Sequence, residues 1–160
     1  MSVELVVSNE SSRKRLYRSD ALARLANRIY EGEGHAGGAE LSLLFCDDGT
    51  IEALNHEYRG KAAPTDVLSF PQEGNLESGA PGAPVRLLGD IVISLETVER
   101  QCRGERAAMR REVYLLFCHG MLHILGYQHD TAQQQARMAA RQAAYLRWPL
   151  EAAWPAEPAR

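Results

Sequence analysis

Three of the five histidines in this chain, His119, His123 and His129, fall inside eleven residues. They sit in the stretch Glu112-Val-Tyr-Leu-Leu-Phe-Cys-His-Gly-Met-Leu-His-Ile-Leu-Gly-Tyr-Gln-His-Asp130. On a helix advancing about 100° per residue, His123 lies roughly 40° around from His119 and one turn further on. Two imidazoles placed in this way converge on one point. Gly126 tolerates the left-handed turn that ends a helix, and so allows His129 to swing back towards the same point. Three neutral nitrogens with a fourth position left open describe a catalytic metal site better than a structural one, which four protein ligands usually close. Val113, Leu115, Leu116, Phe117, Leu122 and Leu125 make the carrier helix a buried one that holds its ligands rigidly. Cys118 points about 100° away from the histidine face and reads as core rather than as a ligand or nucleophile.

The same spacing, His-x3-His-x2-Gly-x2-His, is that of the metzincin metalloproteases. Those enzymes carry a glutamate general base beside the first histidine, where this chain has Gly120. Glycine cannot take a proton, so peptide hydrolysis loses its base and the protease reading is a distant one. Arg59, between Tyr58 and Gly60, offers another logic. A guanidinium beside a Lewis-acidic metal suits a phosphodiester, which gathers charge on its nonbridging oxygens in the transition state. With RNA, the 2′-hydroxyl can itself serve as nucleophile. Whether Arg59 reaches the metal is not readable from the residues.

The formal charge of −3 and pI of about 6.0 give no global support for nucleic-acid binding, so any such contact must be local. Three widely spaced cysteines, Cys46, Cys102 and Cys118, suit a reducing cytoplasm and argue against a disulfide framework. The N-terminal residues lack the pattern of a signal peptide. No apolar run approaches the ~20 residues of a membrane span, so no membrane is expected.

Taken in order, Val3 to Ser8 reads as a strand. A helix capped within Asn9–Ser12 then runs to about Tyr30 on the stripe Leu16, Leu22, Leu25 and Ile29. Arg13, Lys14, Arg15 and Arg18 form either its solvated face or an RNA-contacting patch, and His35 falls in an exposed glycine-rich loop. Leu41 to Cys46 is a buried strand. A short helix begins at Thr50 and a strand runs from Val67 to Phe70. Residues 72–85 form a hairpin insertion rich in Gly and Pro, followed by a strand from Leu87 to Ser94. A helical region from Glu96 is divided at Gly104, its arginines (103, 106, 110, 111) pairing along the helix with Glu99, Glu105 and Glu112. After the histidines, Thr131 to Trp148 reads as one more helix. The expected fold is α+β, an α/β sandwich with a mixed sheet of about four strands and about five helices, one of them carrying the histidines. Residues 1–148 form a single domain, and 149–160 an irregular C-terminal tail.

Four segments together, Asn55-His-Glu-Tyr-Arg-Gly-Lys61, Pro64-Thr-Asp-Val-Leu-Ser-Phe-Pro71, Leu88-Gly-Asp-Ile-Val-Ile-Ser94 and His119 to His129, closely resemble the bacterial YbeY family. Members of that family are single-strand-directed endoribonucleases of rRNA maturation and ribosome quality control. The resemblance implies one zinc ion on His119, His123 and His129. It implies that Arg59 is the arginine needed for activity; Lys61, two residues on, is a further candidate for holding substrate phosphate. It further implies single-stranded rRNA as substrate, contact with the small ribosomal subunit and its assembly proteins, a cytoplasmic location and no role on DNA. Gln128 and Ala62 depart from acidic residues common in the family, and neither is a proposed ligand. The rival from outside enzymology is a non-catalytic, zinc-containing ribosome-assembly factor.

Overall fold

The computed structural model describes residues 2–13, 16–72, 76–77 and 84–155. The strands are β1 (Val3–Asn9), β2 (Ala39–Cys46), β3 (Val67–Pro71), β4 (Leu76–Glu77) and β5 (Pro84–Ser94), and the helices α1 (Ser19–Gly32), α2 (Asp48–Arg59), α3 (Leu95–Gln101), α4 (Arg106–Ile124) and α5 (Ala132–Leu146), in the order β-α-β-α-β-β-β-α-α-α. Along the sheet the order is β1-β2-β5-β3; β1, β2 and β5 run parallel, β3 lies antiparallel to β5, and the two-residue β4 pairs with β5. The expected mixed sheet and five helices are both present, and the fold is α+β.

The period-2 alternation of β2 explains its place. Ala39, Leu41, Leu43 and Phe45 are buried under α1, α4 and α5, while Ser42 and Leu44 on the other face are half-buried. A second, smaller apolar cluster (Ile51, Leu68, Val92 and Cys46) packs α2 on that other face. The runs with the most apolar residues, β2 and β5, are the central strands, as burial on both sides requires.

Several boundaries differ from expectation for local reasons. Asn9 to Ser12 do not cap α1. Asn9 Oδ1 accepts from Ser11 N at 2.8 Å, and Ser11 Oγ donates to Asp47 at 2.6 Å, so this segment folds as a turn against the end of β2. Leu16 is buried ahead of the helix, which begins only at Ser19. Arg13 is therefore not on a solvated helical face. It pairs with Glu99 at 2.9 Å and lies 3.5 Å from Asp47, while Lys14 and Arg15 lie outside the described residues. Helix α2 begins at Asp48 rather than Thr50, because Asp48 accepts from Ser94 Oγ at 2.7 Å and Thr97 Oγ1 at 2.6 Å. His35 is half-buried rather than exposed: it stacks on Tyr30, and Arg86 donates to its Nδ1 at 3.1 Å.

The division at Gly104 (φ 71°) holds, and Glu105 then caps α4 by accepting from Ala107 N and Ala108 N. Of the residues expected to pair along these helices, Glu99 instead binds Arg13, and Arg111 lies over the Trp148 ring. Of the expected hairpin insertion, only Gln72, the short pairing of β4 with β5 and the start of β5, which begins at Pro84 rather than Leu87, fall inside the described residues. Among the described residues, no helix is long and apolar enough to cross a membrane.

Candidate metal centre and cleft

The histidine-bearing half of α4 is buried nearly all round, from Leu115 to Leu122, with Ile124 beyond. It passes so close to the sheet that a Cβ on Gly120 would meet Ser69 Oγ at 2.9 Å and Ile91 Cγ2 at 3.1 Å. The position where a metzincin keeps its base therefore faces the strands and has no room for a carboxylate. Chemistry and packing exclude the protease reading together.

Helix α4 ends in a Schellman turn built on Gly126 (φ 109°), with Tyr127 N donating to Leu122 O and Gly126 N to His123 O, each at 3.0 Å. The turn reverses the chain. It also carries the Tyr127 carbonyl back to His123, whose Nδ1 donates to it at 2.8 Å. His129 follows, and the loop is then pinned by the capping box of α5, in which Thr131 and Gln134 bond reciprocally. The ligand nitrogens of His119, His123 and His129 all lie within 4.8 Å of one another.

Protonation decides what these nitrogens can do. Gln142, wholly buried on α5, donates through Nε2 to the Ala153 carbonyl, which turns its Oε1 towards His119 Nδ1 at 2.8 Å. His119 and His123 thus both carry their proton on Nδ1 and present bare Nε2 lone pairs. Those two Nε2 atoms are 3.1 Å apart. Facing lone pairs at that distance repel unless a cation lies between them, so the donor set fits a metal ion. Burial, with His123 alongside, pushes His119 down to about 3, and burial also lowers His123. Both are therefore in the neutral, ligating form near pH 7.

Tyr127 ties this arrangement to the rest of the molecule. Its hydroxyl donates to Glu33 Oε1 at 2.7 Å, and Arg141 Nε donates to Glu33 Oε2 at 3.1 Å. Tyr145 donates to the same carboxylate. Neither Gln142 nor Glu33 is visible in sequence as part of the site, because tertiary packing alone brings them there, whereas the Tyr127 carbonyl reaches His123 through the local turn.

A cleft of about 1060 Å³ runs beside the histidines, lined by Tyr58 and Arg59 from α2, Thr65 to Pro71 along β3, the three histidines, and Trp154. Arg59 is the last residue of α2, exposed, and held there by the left-handed Gly60 (φ 70°) and by Asn55, whose Nδ2 donates to Ala63 O at 2.8 Å. The structure thus brings Arg59 to the same cleft as the three histidines. Lys61 is exposed in the following loop and is not among the cleft-lining residues. Asp66, buried at one end of the cleft, is pushed above the usual carboxylate range by desolvation. Cys118 is fully buried and its thiol is pushed up to about 12 by that burial, which removes it as a nucleophile. Gln128 and Ala62, the departures from the family pattern, are both exposed.

The expected irregular tail is in part built into this centre. Leu150–Ala152 form a 3-10 turn, Ala153 is fully buried, and the Trp154 ring stands 5.3 Å from His119 and 5.5 Å from His129.

Comparison with known proteins agrees with the motif resemblance. Residues 6–148 match the family model described as endoribonuclease YbeY. The endoribonuclease YbeY of Moorella thermoacetica is 46% identical over 132 residues, covering 78% of this chain and 82% of that protein. That of Alkaliphilus oremlandii is 40% identical over 153 residues, covering 90% and 95%. A solution structure from Thermotoga maritima superposes with a TM-score of 0.58 at 24% identity, covering 94% of this chain and 89% of that one, which is a likeness of fold.

Proposed function

The chain belongs to the endoribonuclease YbeY family, and we propose that it is a zinc-dependent enzyme that cleaves single-stranded regions of rRNA during maturation and quality control of the small ribosomal subunit in the cytoplasm. The observation that carries this reading is the meeting of Arg59 and the His119, His123 and His129 cluster along one open cleft. Three nitrogen ligands with an exposed third histidine leave a side open to substrate, the arrangement of a catalytic rather than a structural centre. That openness is the reason to prefer an enzyme to a non-catalytic assembly factor.

His119, His123 and His129 would hold the zinc ion, which would supply Lewis acidity towards a phosphodiester. Gln142 and the Tyr127 carbonyl hold His119 and His123 in the tautomer that leaves Nε2 free. Arg59 donates its fixed fork of N–H groups to the nonbridging oxygens, where negative charge accumulates. Lys61, outside the cleft lining, adds at most a longer-range attraction for the RNA backbone before and after the reacting phosphate. The approach of RNA to a chain of net charge −3 rests on such local cations.

The test is cleavage of a single-stranded RNA by nuclease-free protein and by Arg59→Ala prepared identically, with zinc measured in both. Cleavage by the parent alone, at equal zinc, is the expected result. Equal cleavage by both would remove Arg59 from the mechanism. Zinc binding without cleavage in either would turn the reading towards the assembly factor.

A further inference from the structure

We propose that Trp154, with Tyr58 contributed to the same cleft by α2, forms a stacking subsite for unpaired RNA bases beside the metal position. This rests on the endoribonuclease reading and names how that site selects its substrate. The family match ends at residue 148, so Trp154 is a feature of this chain outside the matched residues.

Three observations place the indole. First, it is anchored: the preceding Ala153 is fully buried, and its carbonyl accepts from Gln142, the same side chain that orients His119. Second, it sits against the ligands, its ring nearly perpendicular to those of His119 (87°) and His129 (89°). Third, it is only half-buried and lines the cleft. Tyr58 lines the cleft too, is 63% exposed, and is braced by an edge contact to Phe70 with ring centroids 5.1 Å apart. Its neighbour in the chain is Arg59. Two aromatic side chains thus leave ring surface exposed along the cleft that holds the three histidines.

A base can meet such a ring only when it is unpaired and splayed from its neighbours, because bases in a duplex are already stacked and hydrogen-bonded. Every base has a π-face, so the subsite discriminates single strands from duplex without reading sequence. Arg59 lines the same cleft, where it can meet a phosphate of the same strand.

The experiment uses the zinc-loaded full chain and a 2′-O-methyl RNA, whose capped 2′-oxygen cannot act as a nucleophile, as a single strand and as its duplex. With Trp148→Phe, Trp154 is the one remaining tryptophan of the two. Its emission should be quenched by the single strand and unaffected by the duplex. Trp154→Leu should weaken single-strand binding by roughly 5- to 150-fold, the range for loss of one stacked base, at unchanged zinc content. Trp154→Phe should restore most of it. Unchanged binding by Trp154→Leu, in a parent that binds and cleaves, overturns this inference and leaves the endoribonuclease reading standing. Loss of zinc in step with loss of binding would make Trp154 a cover for the metal, and also overturns it. A parent that neither binds nor cleaves the single strand ends both.

Discussion

Gln142 and His119 are 23 residues apart in sequence, yet the amide oxygen of one lies 2.8 Å from the imidazole Nδ1 of the other, and both are buried. The amide cannot turn round without losing its bond to the Ala153 carbonyl, so it works as a fixed acceptor. Gln142→Leu should therefore lower zinc affinity by about 10- to 100-fold, the usual effect of losing a partner that orients a ligand histidine. Gln142→Glu keeps the acceptor and loses the donor, so it should retain most of the affinity while releasing Ala153 and Trp154. Competition titration against a chelator measures the first effect, and Trp154 fluorescence the second. Equal affinity in all three proteins would show that Gln142 is packing alone.

The two Nε2 lone pairs facing each other at 3.1 Å are a local cost that a cation removes. Stability should rise with free zinc by about 1.4 kcal/mol for each tenfold excess over the dissociation constant, provided zinc binds the folded state alone. Calorimetry over a zinc series, with a chelator as the zero point, reads this directly. His119→Ala and His123→Ala should abolish the dependence. A Tm indifferent to zinc in the parent would sink the metal assignment.

Close packing at Gly120 gives a prediction of opposite character. Alanine there gains about 1 kcal/mol in helix propensity over glycine. It also brings a methyl to 2.9 Å from Ser69 Oγ and 3.1 Å from Ile91 Cγ2. Overpacking of this kind costs about 1–3 kcal/mol, so Gly120→Ala should be net destabilising by about 1 kcal/mol. Gly120→Glu should fail to fold rather than acquire protease activity. Denaturant midpoints and a casein digest decide both; a stable Gly120→Glu protein would mean that α4 can move off the sheet.

What could be read from the chain divides along a physical line. The three histidines and Gly126 are legible because one helix and its C-terminal turn place them, and local periodicity fixes local geometry. Strands β2 and β5 are legible from their apolar runs. The start of α1 is not, since a long-range bond from Ser11 to Asp47 wins over the local capping pattern at Asn9–Ser12. Arg59 is legible as a residue type, but its reach to the cleft depends on where α2, whose last residue it is, packs. Gln142, Glu33 and Trp154 carry no local signal at all. Each matters through a partner that packing delivers from far along the chain: His119, Tyr127 and the histidine rings, respectively.

Glu33 is where that packing becomes measurable against pH. Its carboxylate is nearly buried, with a side-chain exposure of 10%. Burial alone would raise it, but hydrogen bonds from Tyr145 and Tyr127 and the Arg141 guanidinium outweigh that and hold it below its ordinary 4.5. A carboxylate lowered in the folded state contributes stability that is fully present above its unfolded value and is lost as pH falls through its folded value. Glu33→Gln removes the charge and should cost about 2 kcal/mol at pH 7, the scale of hydrogen bonds to a buried charge. The gap between parent and variant should then narrow as pH falls below about 4.5 and nearly close once the carboxylate is protonated. Asp66, raised by desolvation, works in the opposite sense: Asp66→Asn should gain on the parent as pH rises. Urea midpoints from pH 3 to pH 8 separate the two. A parent-to-Gln gap constant across that range would show that the Glu33 cluster acts through shape rather than through its charge.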